Sequence, residues 1–343
     1  MGVQCEAHAG VGAGEGSEFR PRGLYVNPHV QSVLASSRLR RPLILGRAAA
    51  VLAASSIRLL DAGEDIRLLA WHAPRPPGQR PRGLAVLIHG WEGSGESLYL
   101  LAAAARLYAE GWSVLRLNLR DHGPSHHLNR ELFHSNRIAE VVAAVASAAR
   151  DIPDRPVVLG GFSLGGNFAM RVAVRAAAAG IPLSRAMAVC PVLDPAATLA
   201  AMENGPRFYE RHFMAKWRRS LAIKARCFPG LYDFGDLRRF RGLRDMTEHF
   251  VLAYSDYPDL DSYLTGYALV GETLRTLDVP CRLVVAEDDP VIPVADLDRL
   301  APSPMLDVCR TRHGGHCGYL TAFATESWIN DELVRWFGRA AAQ

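Results

Sequence analysis

Ser163 stands in Gly161-Phe162-Ser163-Leu164-Gly165, the G-x-S-x-G spacing that holds a serine hydroxyl at the tip of a strand-to-helix turn. Such a hydroxyl attacks a carbonyl only when a base removes its proton and an acid orients that base. Both residue types follow downstream. The apolar run CRLVVA leads into Glu287-Asp288-Asp289-Pro290, and MLDVCRT leads into Arg312-His313-Gly314-Gly315-His316. Charge developing on the attacked oxygen needs two backbone N–H donors, one from the residue after the nucleophile and one from a loop after an earlier strand. Leu164 and Trp91, the latter just beyond His89-Gly90 in LAVLIHGWEGSGES, occupy those places. The chemistry these pieces would perform together is acyl transfer through a covalent serine intermediate.

These pieces need a scaffold that brings strand ends together. Val157-Val158-Leu159 reads as a buried strand before Ser163, and FAMRVAVRAAAA from Phe168, after Asn167, reads as a helix that stops at Gly180-Ile181-Pro182. A hairpin is expected at 57–72 and a surface loop at PRPPGQRPRG. Then LAVLIHG, WSVLRLNLR, RAMAVC, CRLVVAE and MLDVCRT alternate with helices near 96–110, 135–150 and 294–301, and a final helix. That alternation predicts a mainly parallel sheet with helices on both faces. Residues 194–278, rich in Arg, Tyr and Phe, lack strand patterns and contain helical stretches such as RFYERHFMAKWRRSLAIKA. An insertion there lies above the carboxyl ends of the strands, where such sheets bind ligands, and reads as a helical cap. The expected organisation is a mobile tail at 1–18, core at 19–193, cap at 194–278 and core again at 279–343.

With 343 residues, 49% apolar and 22% charged, the chain has an ordinary globular balance. Its formal charge of +4 is too small to point to nucleic acid. The six cysteines form no C-x-x-C pair, and those in strand-like runs (Cys190, Cys281, Cys309) read as buried thiols, so a cytoplasmic location is expected. No apolar stretch is long enough to span a bilayer, and no signal-peptide pattern is present. His122, His126, His127 and His134 lack the carboxylate or cysteine spacing of a metal site and read as a solvated loop. Cys317 has no second base to activate it. The arginines at 218–219 and 238–239 read as a solvated face of the cap. A basic rim that attracts anionic lipid, with peripheral membrane contact, or acidic substrates is the other reading.

The chain resembles the α/β-hydrolase superfamily, and within it the YheT-type branch of esterases. The resemblance rests on NPHVQSVL at 27–34, HGWEGS at 89–94, the GFSLGGN elbow, AEDDPVIP at 286–293 and HGGHCGY at 313–319, and it runs from Phe19 to the C-terminus. It implies an α/β-hydrolase fold with a helical cap, and a serine hydrolase of carboxylic or lipid esters that needs no cofactor or metal. By the HGGH pattern His316 is the base rather than His313. By the D-x-x-x-P pattern that ends at Pro293, Asp289 is the acid rather than Asp288. NLRDHG at 118–123 departs from the branch's Arg-Gly pair. An acyltransferase using the same acyl-enzyme, and a non-catalytic binding protein of this fold, remain the alternatives. The expected partner is a small-molecule ester.

Overall fold

Short β-branched runs can be buried on both faces only when helices cover each side, and among the described residues eight strands and their flanking helices meet that requirement. A computed structural model describes residues 18–340; the tail expected at 1–18 lies outside them apart from Glu18. The strands are β1 (Ser56–Asp61), β2 (Arg67–Ala73), β3 (Leu84–Ile88), β4 (Ser113–Leu117), β5 (Val157–Phe162), β6 (Leu183–Val189), β7 (Cys281–Ala286) and β8 (Leu306–Thr311). They form one sheet in the order β1-β2-β4-β3-β5-β6-β7-β8. β1, β2 and β4 pair antiparallel and all later pairs are parallel. Ile88 pairs with Gly161, and Phe162 with Val189, so the carboxyl ends of β3, β5 and β6 lie side by side.

Among the described residues three α-helices precede the sheet: α1 (Pro28–Ser36), α2 (Arg41–Arg47) and α3 (Ala49–Ala54). α4 (Leu98–Ala109), α5 (Ile138–Asp151) and α6 (Leu164–Ala173) cross over between strands. Between β6 and β7 come α7 (Pro195–Asn204), α8 (Arg207–Cys227), α9 (Leu243–Tyr254) and α10 (Leu260–Thr265), and α11 (Trp328–Gly338) closes the chain. The period-2 alternation of β3 divides the core. Leu84, Val86 and Ile88 pack with α5 and α6, whereas Ala85 and Leu87 pack with α4 and α11. Two expectations shift. The helix after Ser163 starts at Leu164, three residues before Asn167, and 294–301 holds only a 3-10 turn over Val294–Arg299.

The α7–α10 insertion sits over the carboxyl ends of the strands and is tied there by a buried ion pair. Lys224 of α8 donates to Asp121 Oδ1 at 2.7 Å, to the Asn129 oxygen at 2.6 Å and to the Glu131 oxygen at 3.1 Å. Asp121 Oδ2 accepts from the Phe133 N–H at 2.9 Å. All three ammonium donors are satisfied, so the desolvation cost of this pair is offset by geometry. Asp121, in the loop after β4, therefore anchors the insertion.

The histidines of this loop are not a solvated group. His122 is buried, and His126 is buried with its Nε2 2.8 Å from Ser220 Oγ of α8. His134 lies between the Tyr257 and Tyr263 rings, and only His127 is exposed. The overlying insertion converts a polar loop into an interior one. Among the cap arginines, Arg218 likewise turns inward, donating to the Leu237 and Phe240 carbonyls at 3.1 and 3.0 Å.

Candidate active site

Three glycines allow the turn at Ser163. A Cβ on Gly161 would lie 2.1 Å from the Gly165 oxygen, and one on Gly165 would lie 2.3 Å from the His89 oxygen. Neither position tolerates a side chain, because strand, helix and the neighbouring loop meet there backbone to backbone. Gly90 approaches so closely that its Cβ would be 3.1 Å from Ser163 Cβ. Ser163 itself has φ 54° and ψ −122°, a backbone conformation that L-residues rarely adopt outside functional turns. Its hydroxyl is thereby carried above the sheet edge.

His316 Nε2 lies 2.9 Å from Ser163 Oγ, and His316 Nδ1 lies 2.9 Å from Asp289 Oδ2. The other Asp289 oxygen accepts the N–H groups of Val291 and Ile292 at 2.8 and 3.0 Å, which fixes the carboxylate's orientation. The Asp289 side chain is 2% exposed and that of His316 13%. Burial pushes the His316 pKa down, but the Asp289 charge and its hydrogen bond push it up, and the net direction is upward from 6.5. An imidazole so placed can take the serine proton on Nε2 while its Nδ1–H stays on the carboxylate.

The neighbouring pair of the same residue types goes elsewhere. His313 Nδ1 lies 3.3 Å from Asp288 Oδ2, and Asp288 Oδ1 accepts the Gly315 N–H at 2.8 Å. That pair shapes the loop and does not face Ser163. Glu287 is engaged by Arg310 Nε at 2.8 Å. Positive φ at Gly314, Gly315, Cys317 and Tyr319 coils the segment so that His316 turns inward.

Trp91 and Leu164 flank Ser163 in the wall of one cavity. Among the described residues neither backbone N–H has a protein acceptor. The turn carrying Trp91 is held from below. Gly90 donates to Tyr99 Oη at 2.9 Å, and buried His89 donates through Nδ1 to the Gly90 oxygen at 2.8 Å while Nε2 accepts from the Leu119 N–H at 3.1 Å. Burial lowers the His89 pKa to about 4, so the ring stays neutral and its tautomer is fixed by both partners. The Trp91 ring stacks on Phe213 of α8, 5.4 Å between centroids and 10° between planes.

Cys190, His316 and Cys317 bring possible ligand atoms within 4.8 Å of one another. Both His316 nitrogens already serve Ser163 and Asp289, and burial holds the Cys317 thiol well above its ordinary pKa. A neutral buried thiol is a poor metal ligand and a poor nucleophile. These groups pack the rear of the site.

One set of supporting residues has no counterpart in the chemistry-bearing motifs. Ser32 of α1 accepts the His316 backbone N–H at 2.8 Å through Oγ. Gln31, fully buried, donates to the Tyr25 and Leu320 carbonyls at 2.6 and 2.8 Å and accepts from the Leu320 N–H at 2.7 Å. A Cβ on Gly315 would lie 2.4 Å from the Pro28 oxygen, which explains the glycine beside His316. NPHVQSVL carries the family resemblance, but nothing in that stretch marks Gln31 or Ser32 as a brace for the loop at 313–320. Gln31→Ala should destabilise the protein by about 2–3 kcal/mol, because it strands buried backbone groups of Leu320. Urea unfolding reads this directly, and an unchanged midpoint would remove Gln31 from the bracing of the loop.

Residues 85–326 match the family model described as Alpha/beta hydrolase family. The chain belongs to that family. This alpha/beta hydrolase is 37% identical over 87 residues to the Haemophilus influenzae protein named "Putative esterase/lipase", covering 25% of this chain and 28% of that one. It is 27% identical over 137 residues to Protein ABHD15 of Homo sapiens, covering 38% of this chain and 28% of that one. The chain thus matches less than a third of the length of either curated relative. The esterase Pf2001 of Pyrococcus furiosus shares the fold, with a TM-score of 0.54 at 17% identity over 82% of this chain and 93% of that one. Among the described residues of this alpha/beta hydrolase, no helix is long and apolar enough to cross a membrane.

Proposed function

We propose that this alpha/beta hydrolase cleaves carboxylic esters through an acyl-enzyme formed on Ser163. The observation that carries the reading is the unbroken hydrogen-bond line from Asp289 through His316 to Ser163 Oγ, placed at the wall of a largely apolar cavity. In this reading His316 takes the serine proton as Oγ attacks the carbonyl, and Asp289 stabilises the imidazolium. The N–H groups of Trp91 and Leu164 bind the oxyanion. His316 next protonates the leaving alcohol, then removes a proton from water as the water attacks the acyl carbon, and returns that proton to Ser163 Oγ as the acid departs. The Haemophilus influenzae relative's name agrees with this activity.

The α7–α10 insertion acts as a cap that shapes the acyl site. Leu199, Met202, Leu243, Phe250, Val251 and Leu264 line the cavity from that side. Each methylene buried there contributes about 0.8 kcal/mol, or roughly fourfold in binding. Across a p-nitrophenyl ester series kcat/KM should climb over the first few acyl carbons and then level off once added carbons reach water. Ser163→Ala serves as the blank. A steady fall from acetate onward would mean that the cap closes the acyl site, and an absence of Ser163-dependent hydrolysis across the series would overturn the reading.

A further inference from the structure

The cavity beside Ser163 has a carboxyl in its wall that the hydrolytic steps leave unused. Glu92 follows Trp91 in the turn that Gly93 closes by donating to the Gly90 oxygen at 2.9 Å. Its φ is 55°, a left-handed conformation where glycine or asparagine would sit without strain. A long acidic side chain kept at such a position, lining the cavity that Ser163 also lines, points to a use for that side chain. Lys216 Nζ donates to the Glu92 main-chain oxygen at 3.0 Å, which fixes the turn. Among the described residues the carboxyl oxygens have no hydrogen-bond partner.

We propose that Glu92 is a specificity residue that donates its carboxyl O–H to an uncharged oxygen of the substrate other than those of the scissile ester. The preferred substrates are then oxygenated esters, such as partial esters of a polyol, rather than esters of plain alcohols. This rests on the ester-hydrolase reading of Ser163. Burial pushes the Glu92 pKa up to about 8 against the Lys216 charge, so at neutral pH the group is a donor.

The charged and titratable groups around it are accounted for. From α8 come Lys216 and Lys224, the latter spent on Asp121, which lies in the loop after β4. Burial lowers the pKa values of His89 and His122, so both rings are neutral. The Asp289 charge raises the His316 pKa above 6.5, and the neutral form of His316 is the proposed base. Ionised Glu92 has no proton to donate.

The test compares glycerol monobutyrate with ethyl butyrate, which share an acyl group, in the full chain across pH. In the ratio of their kcat/KM values the titration of His316 cancels. Wild type should favour the glycerol ester by about tenfold, the usual scale of one hydrogen bond, and lose that preference as pH rises through about 8. Glu92→Gln, which keeps a donor and cannot ionise, should hold the preference at all pH values. Glu92→Met should lose it, its ratio falling to about one at every pH. A ratio that Glu92→Met leaves intact overturns the proposal, as does equal loss of both activities in that variant. A decline above pH 8 that persists in Glu92→Gln assigns the titration to Lys216 and also overturns it. Ser163-dependent cleavage of both esters without discrimination defeats the Glu92 role alone. Failure to cleave either ester defeats the hydrolase reading beneath it.

Discussion

Ser163→Ala should lower kcat by about 10⁶-fold, because removing the nucleophile of such a triad costs nearly as much as removing all its members. The same variant should escape labelling by a fluorophosphonate that modifies wild type once per chain. The magnitude follows from what the loss of one oxygen does. In the proposed mechanism no acyl-enzyme forms without Oγ, and the His316 proton transfer has nothing to act on. Only binding and the Trp91 and Leu164 N–H groups would remain, and such residues leave about 10³- to 10⁴-fold acceleration over water. The substitution should spare the fold, since it removes one hydroxyl from a turn whose shape is set by Gly161, Gly165 and Gly90 at closer than side-chain distance. Stoichiometric labelling of another serine in the variant would transfer the nucleophile's role away from Ser163.

The strand runs of the parallel sheet and the turn at Ser163 were legible because their determinants are local. β-Branched runs, glycine spacing and helix stops operate over a few residues. The choice of Asp289 over Asp288, and of His316 over His313, was not local. Each pair offers identical chemistry, and position in the loop decides which member faces Ser163. Here the carboxylate that caps the Val291 and Ile292 N–H groups faces inward, and its neighbour turns to Gly315. The choice of Asp289 and His316 rested on pattern resemblance, because composition does not separate the members of either pair.

The bracing of His316 by Ser32 joins residues 284 positions apart, and the Lys224–Asp121 pair spans 103. Separations of that size leave no trace in periodicity. The same holds for His122 and His126. A polar loop looks solvated until another part of the chain is laid over it, and α8 is what covers this one.

Asp289→Asn should reduce kcat by about 10³- to 10⁴-fold, the scale of the corresponding change in a serine triad. An amide at this position can donate to Nδ1, which leaves the imidazole proton on Nε2, where it can no longer accept from Ser163. The variant also carries a signature in pH. In wild type the burial of His316 lowers its pKa, and the Asp289 charge with its hydrogen bond more than reverses this, so the net direction is above 6.5. With neutral His316 as the proposed base, wild-type kcat/KM should rise with pH through that elevated value and then level off. Removing the charge leaves burial opposed only by the smaller Cys190 contribution, so the residual activity of Asp289→Asn should rise through a pKa displaced toward acid. Asp288→Asn should do neither. Its partner His313 does not face Ser163, and an asparagine oxygen can still accept the Gly315 N–H. Rate and pH profiles of the two variants, taken with one ester, separate the carboxylates. A larger loss and an acid shift in Asp288→Asn would move the orienting role to Asp288, and equal small losses in both would leave His316 without a carboxylate partner in catalysis.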